Sequence, residues 1–135
     1  MGIPKILVVD DERDMRIFVS VVAETLGFEA IGAQDGTQAL QLAGSNPPAL
    51  IVLDVMMPKI DDGIQTYRQF RTDPSLSHIP IIMLSAIAEK TFLHSIKMLS
   101  PRKGRPLPRP EAYMEKPPDA NELSRMIGEL LAADS

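Results

Sequence analysis

The sequence predicts an α/β fold, a doubly wound sheet of five parallel strands with helices on both faces. Short apolar runs alternate along the chain with longer segments in which apolar residues recur at helical spacing. The clearest runs are apolar at every position, which is typical of parallel strands buried on both faces. Because a helical crossover separates each pair of runs, the strands are expected to be parallel and the connections between them right-handed. The chain therefore predicts five β–α units in succession.

Three strands are predicted at residues 5–10, 50–54 and 79–84, where β-branched and aliphatic residues follow one another. Two shorter and weaker runs, at residues 29–33 and 112–115, are typical of strands at or near the edge of a sheet.

The first and last helices have the clearest periodicity. The first ends at Gly27, because glycine readily adopts the left-handed conformation that closes a helix. The last begins after Asp119, which together with Glu122 resembles a capping box. The apolar faces consist of Met15, Phe18, Val19, Val22 and Leu26 in the first helix and of Leu123, Met126, Ile127, Leu130 and Leu131 in the last.

Shorter patterns predict the three helices between them. The second opens at Asp35-Gly36 and turns Leu40 and Ala43 inward. The apolar positions are Ile64, Tyr67 and Phe70 in the third helix and Phe92, Leu93, Ile96 and Leu99 in the fourth.

One stretch, residues 100–111, fits neither a regular helix nor a central strand, because prolines recur through it. Its prolines and basic residues are Pro101, Pro106, Pro108 and Pro110 and Arg102, Lys103, Arg105 and Arg109. Two interpretations apply: a mobile surface loop, or a loop that binds a partner or an anion.

The composition indicates one domain that folds without disulfides. The chain has 135 residues, of which 44% are hydrophobic, and no cysteine. We expect a single domain over residues 1–135 with its core in residues 4–131. No apolar stretch reaches the length of a membrane span, no signal-peptide pattern opens the chain, and the net charge of −4 disfavours binding to nucleic acid. These features predict a cytoplasmic protein that binds neither membranes nor nucleic acid.

Polar residues lie at or just beyond the end of four of the predicted strands. Asp10 is the last residue of the first strand and Asp11 follows it, Asp54 is the last residue of the third, and Ser85 and Lys116 follow the fourth and fifth. Because ligands of open α/β sheets bind beyond the carboxyl ends of the strands, we expect these side chains to meet in one cleft.

This cleft suits Mg²⁺ and a phosphoryl group. Mg²⁺ prefers oxygen ligands, which the three carboxylates supply. With its charge neutralised, Asp54 can act as a nucleophile and form an aspartyl phosphate. Lys116 supplies a positive charge, and the Ser85 hydroxyl can donate to a phosphoryl oxygen. Taken singly, each acidic residue is better explained as a solvated loop position or a helix cap, as for Asp11 or Asp14 at the first helix, and only the joint pattern favours the cleft.

As a set, these motifs resemble the receiver domains of two-component response regulators. The resemblance spans residues 4–131 and rests on Val8-Val9-Asp10-Asp11-Glu12, Asp54-Val55-Met56-Met57-Pro58, Leu84-Ser85-Ala86 and Lys116-Pro117. It implies a flavodoxin-like (βα)5 fold with strand order 2-1-3-4-5, of the single-domain chemotaxis-regulator type.

The resemblance also implies the metal ligands and the phosphoacceptor. Asp54 corresponds to the phosphoacceptor. Asp11 would bind Mg²⁺ directly and Asp10 through water, and the backbone carbonyl of Met56 would be a further ligand.

The remaining roles implied by the resemblance concern signalling. Ser85 corresponds to the switch hydroxyl and Lys116 to the phosphate-binding lysine, with Lys116–Pro117 as a cis peptide. Tyr113 stands where the family has its aromatic switch, although an ordinary aromatic of an edge strand packed on the fourth helix would look the same.

Family members take a phosphoryl group from a histidine kinase and catalyse their own transfer and hydrolysis, so a signalling switch is expected rather than a metabolic enzyme. The expected partners are a sensor histidine kinase or a phosphotransfer protein and a downstream protein. The expected state is a monomer or a phosphorylation-dependent dimer. The end of the chain soon after the fifth helix favours a stand-alone regulator, and a piece of a longer regulator would look the same.

Two departures from the family keep other functions open. Gly63 stands one residue later than the corresponding glycine of most receivers, so the loop before the third helix is expected to be altered. The segment between Ser85 and Lys116 is long and has the Pro/Arg-rich stretch in place of the usual Gly-Ala pair. A receiver-like scaffold that is not phosphorylated is one alternative. A magnesium-dependent phosphohydrolase is a weaker one, because Met56 stands where such enzymes have a second aspartate.

Overall fold

The computed structural model describes residues 2–57, 60–98 and 107–132. Within these residues five strands alternate strictly with five helices. The strands are β1 (Lys5–Val9), β2 (Glu29–Ala33), β3 (Leu50–Leu53), β4 (Ile81–Ser85) and β5 (Ala112–Glu115). The helices are α1 (Arg13–Thr25), α2 (Gly36–Ser45), α3 (Ile60–Thr72), α4 (Glu89–Met98) and α5 (Ala120–Ala132). The predicted succession of five β–α units is confirmed.

The strands form one parallel sheet in the order β2-β1-β3-β4-β5, as predicted. The two weak runs, β2 and β5, are its edge strands. The register aligns the carboxyl ends, since Val9 pairs with Leu53 and Ser85 pairs with Glu115. The residues that follow these strands therefore lie along one edge of the sheet.

Each face of the sheet is covered by a separate apolar core. Side chains of α1 and α5 cover one face, with Val19 and Leu123 among the buried residues. Side chains of α2, α3 and α4 cover the other, with Tyr67, Phe70 and Phe92 fully buried. Most of the periodic apolar positions predicted for the helices thus face the sheet, as in a doubly wound fold. Leu26 is an exception: it is the C-cap that follows α1, and its side chain is exposed, so its prediction as part of the apolar face is wrong.

The helix ends agree with the predicted signals in part. Gly27 has a φ of 94°, the left-handed conformation that its position after α1 requires. The carboxylate of Asp119 accepts hydrogen bonds from the backbone N–H groups of Asn121 and Glu122 and so caps α5. At α1 the capping position is Glu12, with no side-chain cap bond. The interpretation of Asp11 or Asp14 as the cap of this helix is therefore wrong.

Strand β4 begins two residues later than predicted and includes Ser85. The reason is local: Pro80 has no N–H to give to the sheet, and Ile79 closes a turn by donating to the carbonyl of Leu76 at 3.1 Å.

Residues 58 and 59 of the loop before α3, Leu99, and residues 100–106 of the Pro/Arg-rich stretch lie outside the described residues. The rest of that stretch, residues 107–111, is not a free surface loop, because Leu107 is buried and the carbonyls of Pro108 and Arg109 accept hydrogen bonds from α3. Among the described helices, none is long and apolar enough to cross a membrane.

Candidate functional site

The carboxyl edge of the sheet brings the predicted polar residues together around one lysine. The Nζ atom of Lys116 lies 3.0 Å from Oδ2 of Asp10 and 3.2 Å from Oδ2 of Asp54. It also lies 2.8 Å from Oε1 of Glu12. The peptide bond between Lys116 and Pro117 is cis. Carboxylates that follow β1 and β3 therefore share one cation, which follows β5.

Backbone hydrogen bonds fix the two buried carboxylates. Oδ1 of Asp10 accepts from the N–H of Glu12 at 2.9 Å, and Oδ1 of Asp54 accepts from the N–H of Met56 at 3.0 Å. In both residues the side chain thus closes a tight turn after the strand and leaves the other oxygen facing the lysine.

Four carboxylates converge at this point. Carboxylate oxygens of Asp10, Asp11, Glu12 and Asp54 all lie within 4.8 Å of one another, with Asp10 and Asp54 buried and the other two exposed. In the described part of the chain this is the single group of acidic or histidine side chains with such spacing. A set made of carboxylate oxygens alone, open to water on one side, fits a hard cation such as Mg²⁺.

Burial dominates the electrostatics of the site. Desolvation raises the pKa of Asp10 from 3.8 to about 6, helped by the charge of Asp54 and opposed by the Glu12 N–H and by Lys116. Desolvation likewise raises the pKa of Asp54, against hydrogen bonds from the Met56 N–H and from Lys116. Burial alone would lower the pKa of Lys116. Hydrogen bonds to Glu12 and Asp10 and the charge of Asp54 outweigh this effect, so the pKa of Lys116 is raised. The lysine therefore stays charged beside two carboxylates that burial destabilises.

Ser85 lies between the aspartate cluster and Tyr113. It is fully buried at the end of β4, and its hydroxyl accepts a hydrogen bond from the Ile87 N–H at 3.4 Å. A hydrogen bond with Ser85 lowers the pKa of Asp54 and limits the rise of the Tyr113 pKa. The predicted switch hydroxyl thus interacts with both the predicted phosphoacceptor and the predicted aromatic switch.

Tyr113 of β5 points towards the connection between β4 and α4. Its hydroxyl donates to the carbonyl of Ile87 at 2.8 Å, and its ring lies 5.6 Å from that of Phe92 at an interplanar angle of 45°. Burial raises its pKa to about 12. The ring packs on α4, as the ordinary structural interpretation required, and it does so while its hydroxyl reaches the loop next to Ser85.

Two further residues shape the site. Glu12 contacts Lys116 through its carboxylate, a role that the sequence motif does not predict. Its place directly after Asp10-Asp11 is the one sequence signal that points to it. Gly63 of α3 is required by a close approach, since a Cβ there would lie 1.7 Å from the carbonyl oxygen of Val55. The displaced glycine lets α3 pack directly on the backbone that follows Asp54.

Comparison with known proteins gives concordant results. Residues 6–100 match the family model of the response regulator receiver domain. The alkaline phosphatase synthesis transcriptional regulatory protein PhoP of Bacillus subtilis is 37% identical over 127 residues, which are 94% of this chain and 48% of that protein. The sensor histidine kinase TmoS of Ectopseudomonas mendocina is 33% identical over 129 residues, which are 96% of this chain and 12% of that protein. This chain therefore spans less than half the length of these relatives.

Solved structures with the same fold include receiver domains. The Francisella response regulator 1452 receiver domain superimposes with a TM-score of 0.77 at 28% identity, covering 98% of this chain and 99% of that one. The chemotaxis protein CheY4 of Vibrio cholerae superimposes with a TM-score of 0.79 at 25% identity, covering 96% of this chain and 100% of that one. On its sequence motifs, its strand order and these matches, the chain belongs to the response regulator receiver domain family of two-component signal transduction.

Proposed function

We propose that this receiver accepts a phosphoryl group on Asp54 and thereby switches a protein-binding face. The observation that carries the proposal is the contact of one partly buried lysine with two buried aspartates, Lys116 with Asp10 and Asp54, at the carboxyl edge of the sheet. A cation held by buried carboxylates can stabilise the negative charge that a phosphoryl group brings.

Mg²⁺ would be held by Asp10, Asp11 and Asp54 together with the backbone carbonyl of Met56. When bound, it would neutralise the carboxylates and balance the charge on the phosphoryl oxygens. The convergence of carboxylate oxygens and the burial of two of them support this assignment. Without a metal, Lys116 and the backbone N–H groups of Glu12 and Met56 offset the repulsion between Asp10 and Asp54.

In the transfer step, an oxygen of the Asp54 carboxylate attacks the phosphorus of a phosphohistidine. An O–P bond forms, the P–N bond breaks, and its electron pair goes to the imidazole nitrogen. Lys116 binds one phosphoryl oxygen as a point charge, and the Ser85 hydroxyl donates to another. Later attack of water on the phosphorus would return the carboxylate, so transfer and hydrolysis would use the same residues.

The switch would follow from the position of Ser85. A phosphoryl group on Asp54 draws the Ser85 hydroxyl towards it and away from Tyr113. The Tyr113 side chain then favours its inward position against the β4–α4 connection. This changes the surface formed by α4, β5 and α5, which a downstream protein would read.

A sensor histidine kinase or a phosphotransfer protein would supply the phosphoryl group. The match to a sensor histidine kinase and to a transcriptional regulatory protein supports a place in such a relay. Residues 4–131 would act as one receiver unit within residues 1–135. This receiver would bind the downstream protein either as a monomer or as a phosphorylation-dependent dimer.

The test is phosphorylation by acetyl phosphate with Mg²⁺, followed by intact mass measurement. We expect one added phosphoryl group in the natural chain and in Asp62→Asn, an exposed acid of α3 that serves as the matched control. We expect no addition in Asp54→Asn or with EDTA.

Absence of the adduct, with no binding of beryllofluoride as well, would favour the unphosphorylated scaffold. Steady hydrolysis of p-nitrophenyl phosphate would instead favour a phosphohydrolase.

A further inference from the structure

A buried arginine joins the end of the Pro/Arg-rich stretch to α3. Only 3% of the Arg71 side chain is exposed. Its Nη2 atom donates to Oε1 of Glu111 at 2.7 Å and to the carbonyl of Arg109 at 3.1 Å. Its Nε atom donates to the hydroxyl of Tyr67 at 3.1 Å. One guanidinium therefore holds both a side chain and a backbone carbonyl of the segment before β5.

Glu111 and Tyr67 extend these contacts to a second strand. Oε1 of Glu111 also accepts from the N–H of Ile81, the first residue of β4, at 2.8 Å. The hydroxyl of Tyr67 donates to the carbonyl of Pro108. We call Tyr67, Arg71 and Glu111 the anchor, because together they fix the start of β4 and residues 108–111 to α3.

The anchor is specific in its geometry. Arginine has a planar fork of donors that lysine lacks, and the fork of Arg71 donates to four acceptors, of which the fourth is the carbonyl of Ile79 at 3.4 Å. Among the described residues, no buried side-chain nitrogen or oxygen is left without a hydrogen-bond partner. Loss of a partner would leave the buried members of the anchor, Tyr67 and Arg71, with unmet hydrogen bonds.

Two physical connections run from the anchor to Tyr113. Along β5, Tyr113 is two residues beyond Glu111. Through the core, the Tyr67 ring lies 5.4 Å from that of Phe92 at 83°, and Phe92 in turn lies against Tyr113. The three rings form a continuous row from α3 through α4 to β5.

We propose that Arg71 and Tyr67 are positioning residues that hold Tyr113 in its inward position. The proposal rests on the function proposed above, in which the position of Tyr113 is the signal. Arg71 fixes the backbone just before β5 through Arg109 and Glu111, and Tyr67 fixes the ring row from its other end. Residues 108–111 thereby couple partner binding to the position of Tyr113, since a partner that moves Pro108 or Arg109 would let Tyr113 leave its inward position.

Linkage gives the functional consequence. If phosphoryl binding favours inward Tyr113, then residues that favour inward Tyr113 must strengthen phosphoryl binding, at most by the factor by which phosphoryl binding itself favours that position. Loosening the anchor should therefore weaken the binding of a phosphoryl analogue at Asp54, although no anchor residue contacts Asp54.

The chain offers a clean probe, because it has two tyrosines and no tryptophan. Labelling with 3-fluorotyrosine gives one ¹⁹F resonance for each tyrosine, assigned with Tyr67→Phe and Tyr113→Phe. The difference between H₂O and D₂O shifts measures how far the Tyr113 ring is exposed to solvent. The variants are Arg71→Lys, which keeps the charge and loses the fork, and Tyr67→Phe, which removes the hydroxyl and keeps the ring. Arg125→Lys is the control, since Arg125 is an exposed arginine paired with Glu122 and Glu129 on α5.

We expect Tyr113 to become more exposed in Arg71→Lys and in Tyr67→Phe and not in Arg125→Lys. We expect the affinity for beryllofluoride to fall about fivefold or more in the two anchor variants. The affinity is measured with Mg²⁺, at temperatures where urea titration shows that each variant is folded. If Arg71→Lys does not fold, Tyr67→Phe alone decides. An unchanged Tyr113 resonance and unchanged affinity in folded anchor variants would overturn the proposal. If the natural chain binds no beryllofluoride, the proposed function fails, and the ¹⁹F result still decides whether the anchor positions Tyr113.

Discussion

Replacement of Asp10 by asparagine should stabilise the metal-free protein. Asp10 is 2% exposed, and desolvation is the main cause of the rise in its pKa from 3.8 to about 6. That gap corresponds to a cost of about 3 kcal/mol for keeping the folded carboxylate ionised at neutral pH. Asparagine keeps an acceptor for the Glu12 N–H and carries no charge. We expect Asp10→Asn in EDTA at pH 7.5 to raise the free energy of unfolding by about 1–3 kcal/mol.

The sign of the pH dependence follows from the raised pKa. Below pH 3.8 the carboxyl of Asp10 is protonated in both states, and its charge costs nothing. Between pH 3.8 and about 6 the unfolded chain loses the proton first, so the natural chain loses stability as the pH rises. Above about pH 6 Asp10 is ionised in both states, and the full free-energy cost of its buried charge applies. The advantage of the Asp10→Asn variant should therefore be largest at pH 7.5 and should nearly vanish at pH 4.

Urea titrations at pH 4, 6 and 7.5, followed by circular dichroism, measure this difference. Asp62→Asn is the control, because Asp62 is exposed and should show little change at any pH. In Mg²⁺ the difference in the free energy of unfolding between Asp10→Asn and the natural chain should become smaller, since a bound cation stabilises the natural chain more than the variant. A variant that is less stable than the natural chain in EDTA at pH 7.5 would refute the reasoning, because the salt bridge to Lys116 would then outweigh desolvation.

Four further substitutions test other parts of the structure. Gly63→Ala should lower the free energy of unfolding by about 3 kcal/mol or more, because the Cβ would overlap the Val55 carbonyl. Gly128→Ala in α5, where a Cβ meets nothing within 4 Å, should raise it by about 0.5–1 kcal/mol; equal urea midpoints for the two would contradict this. Asp119→Ala should cost about 1 kcal/mol through loss of the α5 cap, again by urea titration, and no loss would mean that the cap is inactive in solution. Lys116→Met should bind Mg²⁺ more tightly in calorimetry, because the lysine ammonium contacts the same carboxylates; weaker binding would contradict that competition.

The fold was predictable because its signals are local. Parallel strands buried on both faces are apolar without interruption, as at Ile51 and Val52, and the helices between them repeat at 3.6 residues. Boundaries were less predictable. β4 was placed two residues too early because Ile79 is as apolar and as buried as the strand itself, and only the hydrogen bonding around Pro80 separates them.

The assembly of the site was predictable for a topological reason. Residues at the carboxyl ends of neighbouring parallel strands must lie at the same edge, so Asp10, Asp54, Ser85 and Lys116 needed no long-range information to be brought together. The sharing of Lys116 among three carboxylates was not predictable. It depends on the distances between side chains of three separate segments, and the role of Glu12 emerged only from its contact with the lysine.

The contacts of the anchor could not be predicted from local sequence patterns. Tyr67 was predicted to face the core, and Arg71 lies four residues later on the same side of α3, so the sequence places a charged residue on an apolar helix face. A charge in that position implies a charged or polar partner, because an isolated buried guanidinium is too costly. The partner, however, is Glu111, forty residues away in sequence and at the end of an irregular stretch. No periodicity extends across that stretch, and several carboxylates were equally compatible with the pattern. The identity of the partner is fixed by the path of residues 107–111, which is the part of this chain where the receiver family gives the least guidance.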